Sequence, residues 1–241
     1  MLLLLLESIA YAEEAAPGFT MAELWEHSGF IARSVIVTLI LMLFASILVT
    51  IERLIAFNRA RSQSMRLAAE IVGPLQAGNI DKALKIAADE QFKASYLAAL
   101  LAAGLKEMSA RLDAHGVKNA RRAVEKAHSE EIAKMKRGMT ILATTGSTAP
   151  FVGLFGTTFG VINAFQGMAT AGSGLASISA GISEALITTG IGIGVAVVGV
   201  WMFNYFNQRM DKIRDELNSS ESDFMDWAEK QLQSGSAMAG K

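Results

Sequence analysis

One carboxyl group stands alone in the apolar part of this chain. Between Arg137 and Arg209, Glu184 is the single side chain bearing a carboxylate, ammonium or guanidinium. Its neighbours in type are hydroxyls: Thr188 one helical turn further on, Thr189 beside it, and Thr157 and Thr158 earlier in the same apolar region. A carboxyl group takes up and releases a proton, and a hydroxyl both donates and accepts a hydrogen bond. The set therefore suits a proton or small-cation path through apolar walls. An ionised carboxylate facing lipid costs at least ~2.5 kcal/mol, so Glu184 is expected to face protein or water. The plainer alternative is a carboxyl group near the outer membrane surface that reaches water, with threonines bonded to their own helix backbone.

No other group of residues points to chemistry. His27, His115 and His128 are far apart and read as surface histidines, while Asp89-Glu90 and Glu130-Glu131 read as solvated helix faces. Zero Cys removes disulfides, thiolate metal sites and a Cys nucleophile. The glycines around Gly156 and Gly190 lack the phosphate-loop pattern and lie in apolar runs, where close helix packing is the simpler role. No enzyme, cofactor or metal site is expected.

The elements that must position Glu184 are set by where charge is missing. The chain has 241 residues, 22 Lys+Arg against 23 Asp+Glu, 51% hydrophobic and only 19% charged residues, with mean hydropathy +0.34. Such a balance fits a membrane protein better than a soluble enzyme, and a net charge of −1 disfavours a nucleic-acid binder. Residues 34–51 are free of charge and just long enough for a first crossing. The charge-free stretch from Gly138 to Ser183 is too long for one crossing and is split by the small, turn-prone run Ala169–Gly174. This gives a second span over 139–168, an outer turn over 169–174 and a third span over 175–204, with Trp201 and Tyr205 placed as interfacial anchors.

Acidic residues precede the first span, whereas Arg53, Arg59, Arg61 and Arg66 follow it, which places the N-terminus outside and the C-terminus inside. The remaining parts are a tail over 1–20, an interfacial helix over 21–33, a helical cytoplasmic domain over 52–138 and a C-terminal helix and tail over 205–241. Leu2–Leu6 followed by Ala10-Tyr11-Ala12 reads either as the end of a secretory signal or as a short uncleaved tail.

Within 52–138, Gly73-Pro74 and Gly78-Asn79 are expected to break helices, and the Leu/Ala run Leu97–Leu105 is too short to span. Val117, Ala120, Val124, Ala127, Ile132 and Met135 form a narrow stripe on a charged helix that leads toward the second span, interrupted only by Gly138. The second span is therefore expected to project far into the cytoplasm, and the third to extend there as well. The segment around Ile80 and Leu84 is similar to one helix of a tetratricopeptide unit, but it occurs once. The fold class is an all-α membrane protein with three transmembrane helices. Gly153, Gly156, Gly160, Gly190 and Gly194 allow backbones to approach closely. Three helices are too few to enclose a polar centre, so an oligomer is implied.

The segment Gly146–Ala169, with APFVGLFGT at its centre, and the later GISEALITTGIG of Gly181–Gly192 resemble the MotA/TolQ/ExbB proton-channel family, in its ExbB/TolQ branch. The resemblance is strongest over about Gly138–Asp215 and weaker in the cytoplasmic helices. It implies a homopentamer in the bacterial inner membrane. The second and third helices would line a pore that holds a dimer of an ExbD/TolR-like single-span partner, acting on a TonB/TolA-like transducer. By the same resemblance Thr157, Glu184 and Thr189 occupy the family's pore-lining positions, and Pro150 matches its second-helix proline. Two further family prolines are absent, with Ala180 and Gly199 in their places, so the third helix is expected to be straighter or to bend at glycine. The function implied is a proton-driven stator that energises TonB-type outer-membrane transport, with Tol-type envelope integrity or gliding motility as alternatives. A passive membrane scaffold is the rival of a different class. Solute transport by the chain alone is disfavoured by the lack of inverted repeats.

Overall fold

The computed structural model describes residues 29–171 and 175–239, with side chains described for 29–167 and 181–233. All regular structure among these residues is helical. Helix α1 spans Phe30–Gln76, α2 Ile80–Ala87, α3 Tyr96–Ala110, α4 Ala114–Lys136, α5 Met139–Ala171 and α6 Leu175–Ala239, with a short 3-10 turn at Glu90–Phe92. Three of these helices, α1, α5 and α6, are long and apolar enough to cross a membrane. The expected tail, most of the expected interfacial helix and residues 172–174 of the expected turn lie outside the described residues.

The described part falls into two compact units. One takes its described residues from 29–45 and 144–200, the other from 46–143 and 201–239.

In the first unit Val35, Leu39, Ala149, Val195 and Ala196 form a small core. Many large apolar side chains face outward instead, among them Leu41, Phe44, Phe151, Phe155 and Leu186. In water that surface would drive association, whereas lipid or another apolar helix suits it.

The second unit has the larger core, and its helices read as amphipathic rods. In α1 the buried positions Val49, Arg53, Phe57, Ala60, Ser64, Leu67 and Ile71 recur at three- and four-residue steps. In α6 Phe206, Met210, Ile213, Leu217, Phe224 and Ala228 recur at steps of three, four or seven residues. Helix α3, the Leu/Ala run, is enclosed among them through Leu100, Leu101, Leu105 and Met108. Gly104 is needed there, because a Cβ would come within 2.8 Å of Val124 Cγ2 and closer still to the Phe224 ring.

The helix ends follow from capping chemistry. Asn79, Ser95 and Asp113 accept from the backbone N–H groups of Lys82, Ala98 and Gly116, satisfying donors that the first helical turn leaves free. At the other end of α1, the Trp227 indole donates to the Leu75 carbonyl at 2.9 Å.

Three expectations are corrected here. Helix α1 runs on through Gly73-Pro74 and stops only before Gly78, whose φ of +65° suits glycine. A proline so close to the helix end disturbs few backbone bonds. The second span does not continue into the charged helix as one rod, because Gly138 at φ +78° separates α4 from α5. Finally, Glu130-Glu131 is not a solvated pair: Glu131 is buried in α4 and bonded to Lys134 Nζ at 2.5 Å.

Candidate proton-path site

Helices α5 and α6 meet along a seam of small residues. A Cβ on Gly153 would lie 2.9 Å from the Thr188 carbonyl and 3.2 Å from Gly192 Cα, and one on Gly160 would lie 2.9 Å from Ala185 Cβ. Gly181 meets Ala164 and Gly146 meets Val200 in the same way. Steps of three, four, seven and eight residues, all close to whole helical turns, keep these positions on one face, so two backbones come close over several turns. Helix α1 joins at Gly156, where Val35 Cγ1 is 3.0 Å from a hypothetical Cβ.

Of the glycines expected to pack, Gly153, Gly156 and Gly160 lie in this seam, and half-buried Pro150 is within α5, which continues past it. Gly190 and Gly194 do not pack against the described residues, among which a Cβ at either would meet open space. The sequence gives all five the same residue type, and only their register distinguishes the packed face from the open one.

The polar residues divide similarly. Glu184 is partly buried on α6, and its Oε1 accepts from the Gly29 backbone N–H at 3.2 Å. Gly29 sits at the N-terminal end of α1, where its carbonyl accepts from Arg33 N. The carboxylate thus lies where free N–H groups and the helix dipole favour negative charge. Asn163 of α5 is at the same place, its Nδ2 3.3 Å from a Cβ built on Gly29. Sequence reasoning passed over both Gly29 and Asn163. An amide side chain within an apolar span was the available signal for Asn163, whereas a contact across 155 positions has no local signal.

The threonines do not form one polar wall within the chain. Thr157 and Thr158 both donate to the Leu154 carbonyl, at 2.7 and 3.0 Å. Thr188 donates to the Ala185 carbonyl at 2.7 Å and is only 1% exposed, with its hydroxyl turned toward Gly156 in the seam. It is a packing residue within the chain, where the sequence pointed to a pore-lining one. The Thr189 hydroxyl is buried with no hydrogen-bond partner among the described residues. No hydrogen bond among those residues joins Glu184 to any of the four threonines. Helix α6 passes Ala180 and Gly199 without a break.

This combination, a lone carboxyl group beside a close glycine seam between two apolar helices, matches a known sequence profile. The profile of the MotA/TolQ/ExbB proton channel family covers residues 93–219. The chain belongs to this family. The match begins upstream of Gly138, so it includes all of α3 and α4 as well as α5 and the greater part of α6.

Relatives carry two different names. The Tol-Pal system protein TolQ of Pseudomonas aeruginosa is 41% identical over 118 residues, covering 46% of this chain and 51% of that protein. The biopolymer transport protein ExbB of Xanthomonas campestris pv. campestris is 39% identical over 107 residues, 44% of this chain and 42% of that one. The ExbB of Salmonella typhimurium is 32% identical over 200 residues, 80% of each. The chain thus matches about half the length of the first two and four-fifths of the third. Members of the ExbB/TolQ branch are channel proteins and not an enzyme class.

Proposed function

We propose that this chain is the ring-forming stator subunit of a proton-driven complex in the bacterial inner membrane, of the ExbB/TolQ type. The observation that carries the reading is Glu184, the lone ionisable carboxylate between Arg137 and Arg209, held beside the glycine seam. Several copies, five on the family pattern, would surround a pore that holds an ExbD/TolR-like single-span dimer. Protons would pass inward, each charge contributing about 2.3 kcal/mol per 100 mV of membrane potential. Alternate charging of the partner's carboxylate against a ring of Glu184, Thr157 and Thr189 would then bias movement between the two subunits. The open face bearing Gly190 and Gly194 is available for a neighbouring copy or for the partner, which supports an oligomer.

The system driven would be a TonB-type outer-membrane transport machine, a reading that suits relatives named biopolymer transport proteins. The P. aeruginosa relative's name favours a second reading, a Tol-type role in the envelope. Gentle solubilisation from the native membrane, followed by native mass spectrometry on this chain, tests the proposal. A five-to-two complex with a small single-span protein is the expected result, and the transducer attached to it distinguishes TonB-type from Tol-type. Recovery of this chain alone, or of a closed oligomer lacking a single-span protein, would instead favour a passive scaffold.

A further inference from the structure

Arg53 presents a second piece of chemistry, one that a proton path does not use. It stands two positions past the charge-free run 34–51, within the buried stripe of α1 and one turn from both Val49 and Phe57. It is 7% exposed. One terminal nitrogen donates to Glu52 Oε1 at 2.5 Å and the other to the Lys134 carbonyl at 3.2 Å, while Nε has no partner among the described residues. A buried guanidinium with an unused N–H carries a desolvation cost that an added acceptor would relieve.

The side chain forms one wall of a cavity of about 510 Å³. Arg53, Arg59, Lys93, Lys134 and Arg137 line that cavity against only two carboxylates, Glu52 and Glu131. Both carboxylates are already engaged, Glu52 by Arg53 and Glu131 by Lys134. Arg59 and Arg137 have no carboxylate partner within 4 Å among the described residues, so the basin keeps uncompensated positive charge. Its other border is aliphatic: Ile55 lines it at 62% exposure, and Ile51 and Leu54 are exposed on the same helix.

We propose that this basin binds the phosphate headgroup of an anionic glycerophospholipid, with its acyl chains lying along Ile51, Leu54 and Ile55. Arg59 and Arg137 meet the phosphate from the open side, and Arg53 offers its spare N–H from the wall. The place is physically apt, because the basin opens where α1 changes from a charge-free run to a charged one, the level at which lipid phosphates lie. A free phosphate compound would have no use for the aliphatic border, and an acidic peptide would have little.

The test uses the full chain purified in detergent with equal amounts of phosphatidylglycerol and phosphatidylcholine, counting retained lipid by native mass spectrometry. Phosphatidylglycerol is expected to be retained selectively. Arg59→Gln and Arg137→Gln should each lower its retention about fivefold, equivalent to about 1 kcal/mol per cation at an anionic surface. Both side chains are exposed, so the fold should persist, as circular dichroism would verify. Lys118→Gln, exposed on α4 and outside the cavity lining, should change nothing. Equal retention of the two lipids, or indifference to both arginine variants, would overturn the proposal. Displacement of the lipid by excess inorganic phosphate would also overturn it, by identifying a free-anion site.

Discussion

The carboxylate of Glu184 accepts a hydrogen bond from the backbone N–H of Gly29, joining α6 to the first residue before α1 at 3.2 Å. The one acidic side chain between Arg137 and Arg209 is therefore tied to the start of a third helix. Any change in its charge acts directly on the N-terminal end of that helix, where an anion is favoured.

Replacing Glu184 by Gln separates charge from contact. The amide keeps an oxygen for the Gly29 N–H and has no proton to exchange, so helix content and assembly should persist while proton-coupled output is lost. Glu184→Ala also removes the hydrogen bond, at a further cost of about 1.5–3 kcal/mol for a charged acceptor. Proton flux into vesicles holding the complex, measured beside native mass spectrometry of the same preparation, checks both. Full flux with Glu184→Gln would leave Glu184 as a pin between helices.

The glycine seam makes a paired prediction. Gly153→Ala pushes a methyl group against the Thr188 carbonyl and the Cα atoms of Thr189 and Gly192. These are backbone atoms that cannot rotate away, so the change should cost about 1–3 kcal/mol and lower the midpoint of thermal unfolding by several degrees. Gly190→Ala meets open space and should leave the isolated chain unchanged. If Gly190→Ala nevertheless weakens assembly, then that face contacts another chain. Thermal unfolding in detergent, together with oligomer distributions, reads both effects.

Sequence patterning revealed the three apolar helices because an uncompensated charge in lipid is costly enough to leave visible gaps. The start of α5 at Met139 and the break at Gly138 follow from those gaps and from glycine's tolerance of positive φ. Register within a helix was less legible. Thr188 and Thr189 are adjacent and alike, yet one hydroxyl is turned toward Gly156 and bonded to its own helix while the other is buried without a partner among the described residues. Arg53 could have been found, since it falls in step with Val49 and Phe57, but its charge draws attention to solvent and away from that stripe. His128 was expected at the surface, yet it is partly buried with Nδ1 2.8 Å from Glu221 Oε2, a partner on α6 that α4 alone does not specify.

Asp113 predicts acid behaviour for the α4 cap. Its carboxylate accepts from Gly116 N at 2.8 Å and from Arg111 Nε at 2.5 Å, and the Gly116 bond, followed by Arg111, holds it below the usual carboxylate range. A carboxyl group lowered in the folded state stabilises above its unfolded pKa, and that contribution fades as pH falls through the folded value. Asp113→Asn retains an acceptor and cannot titrate, so it should shrink the acid-side fall in unfolding midpoint. Asp113→Ala should lower the midpoint at neutral pH, where the cap is intact in the native chain. Unfolding midpoints measured from neutral pH into the acid range distinguish the two.

Tyr96 predicts the alkaline counterpart. Its ring is buried in the second unit's core and its hydroxyl donates to Glu216; burial first, and then that carboxylate, push it well above the usual tyrosine value of 10.0. A group raised in the folded state contributes its full stabilisation below the unfolded pKa and loses it as pH climbs from there through the folded value. The chain should therefore lose stability above about pH 10, where an unfolded tyrosine ionises. Phenolate absorbance should show Tyr96 ionising late in the native chain, and Tyr96→Phe should abolish this late step. The same variant should flatten the alkaline fall in stability while lowering the neutral-pH stability by about 0.5–1.5 kcal/mol, the net worth of one hydrogen bond, since exposed Glu216 can turn to water. A late step that persists in Tyr96→Phe would assign it to another tyrosine and remove the Tyr96–Glu216 bond as its cause.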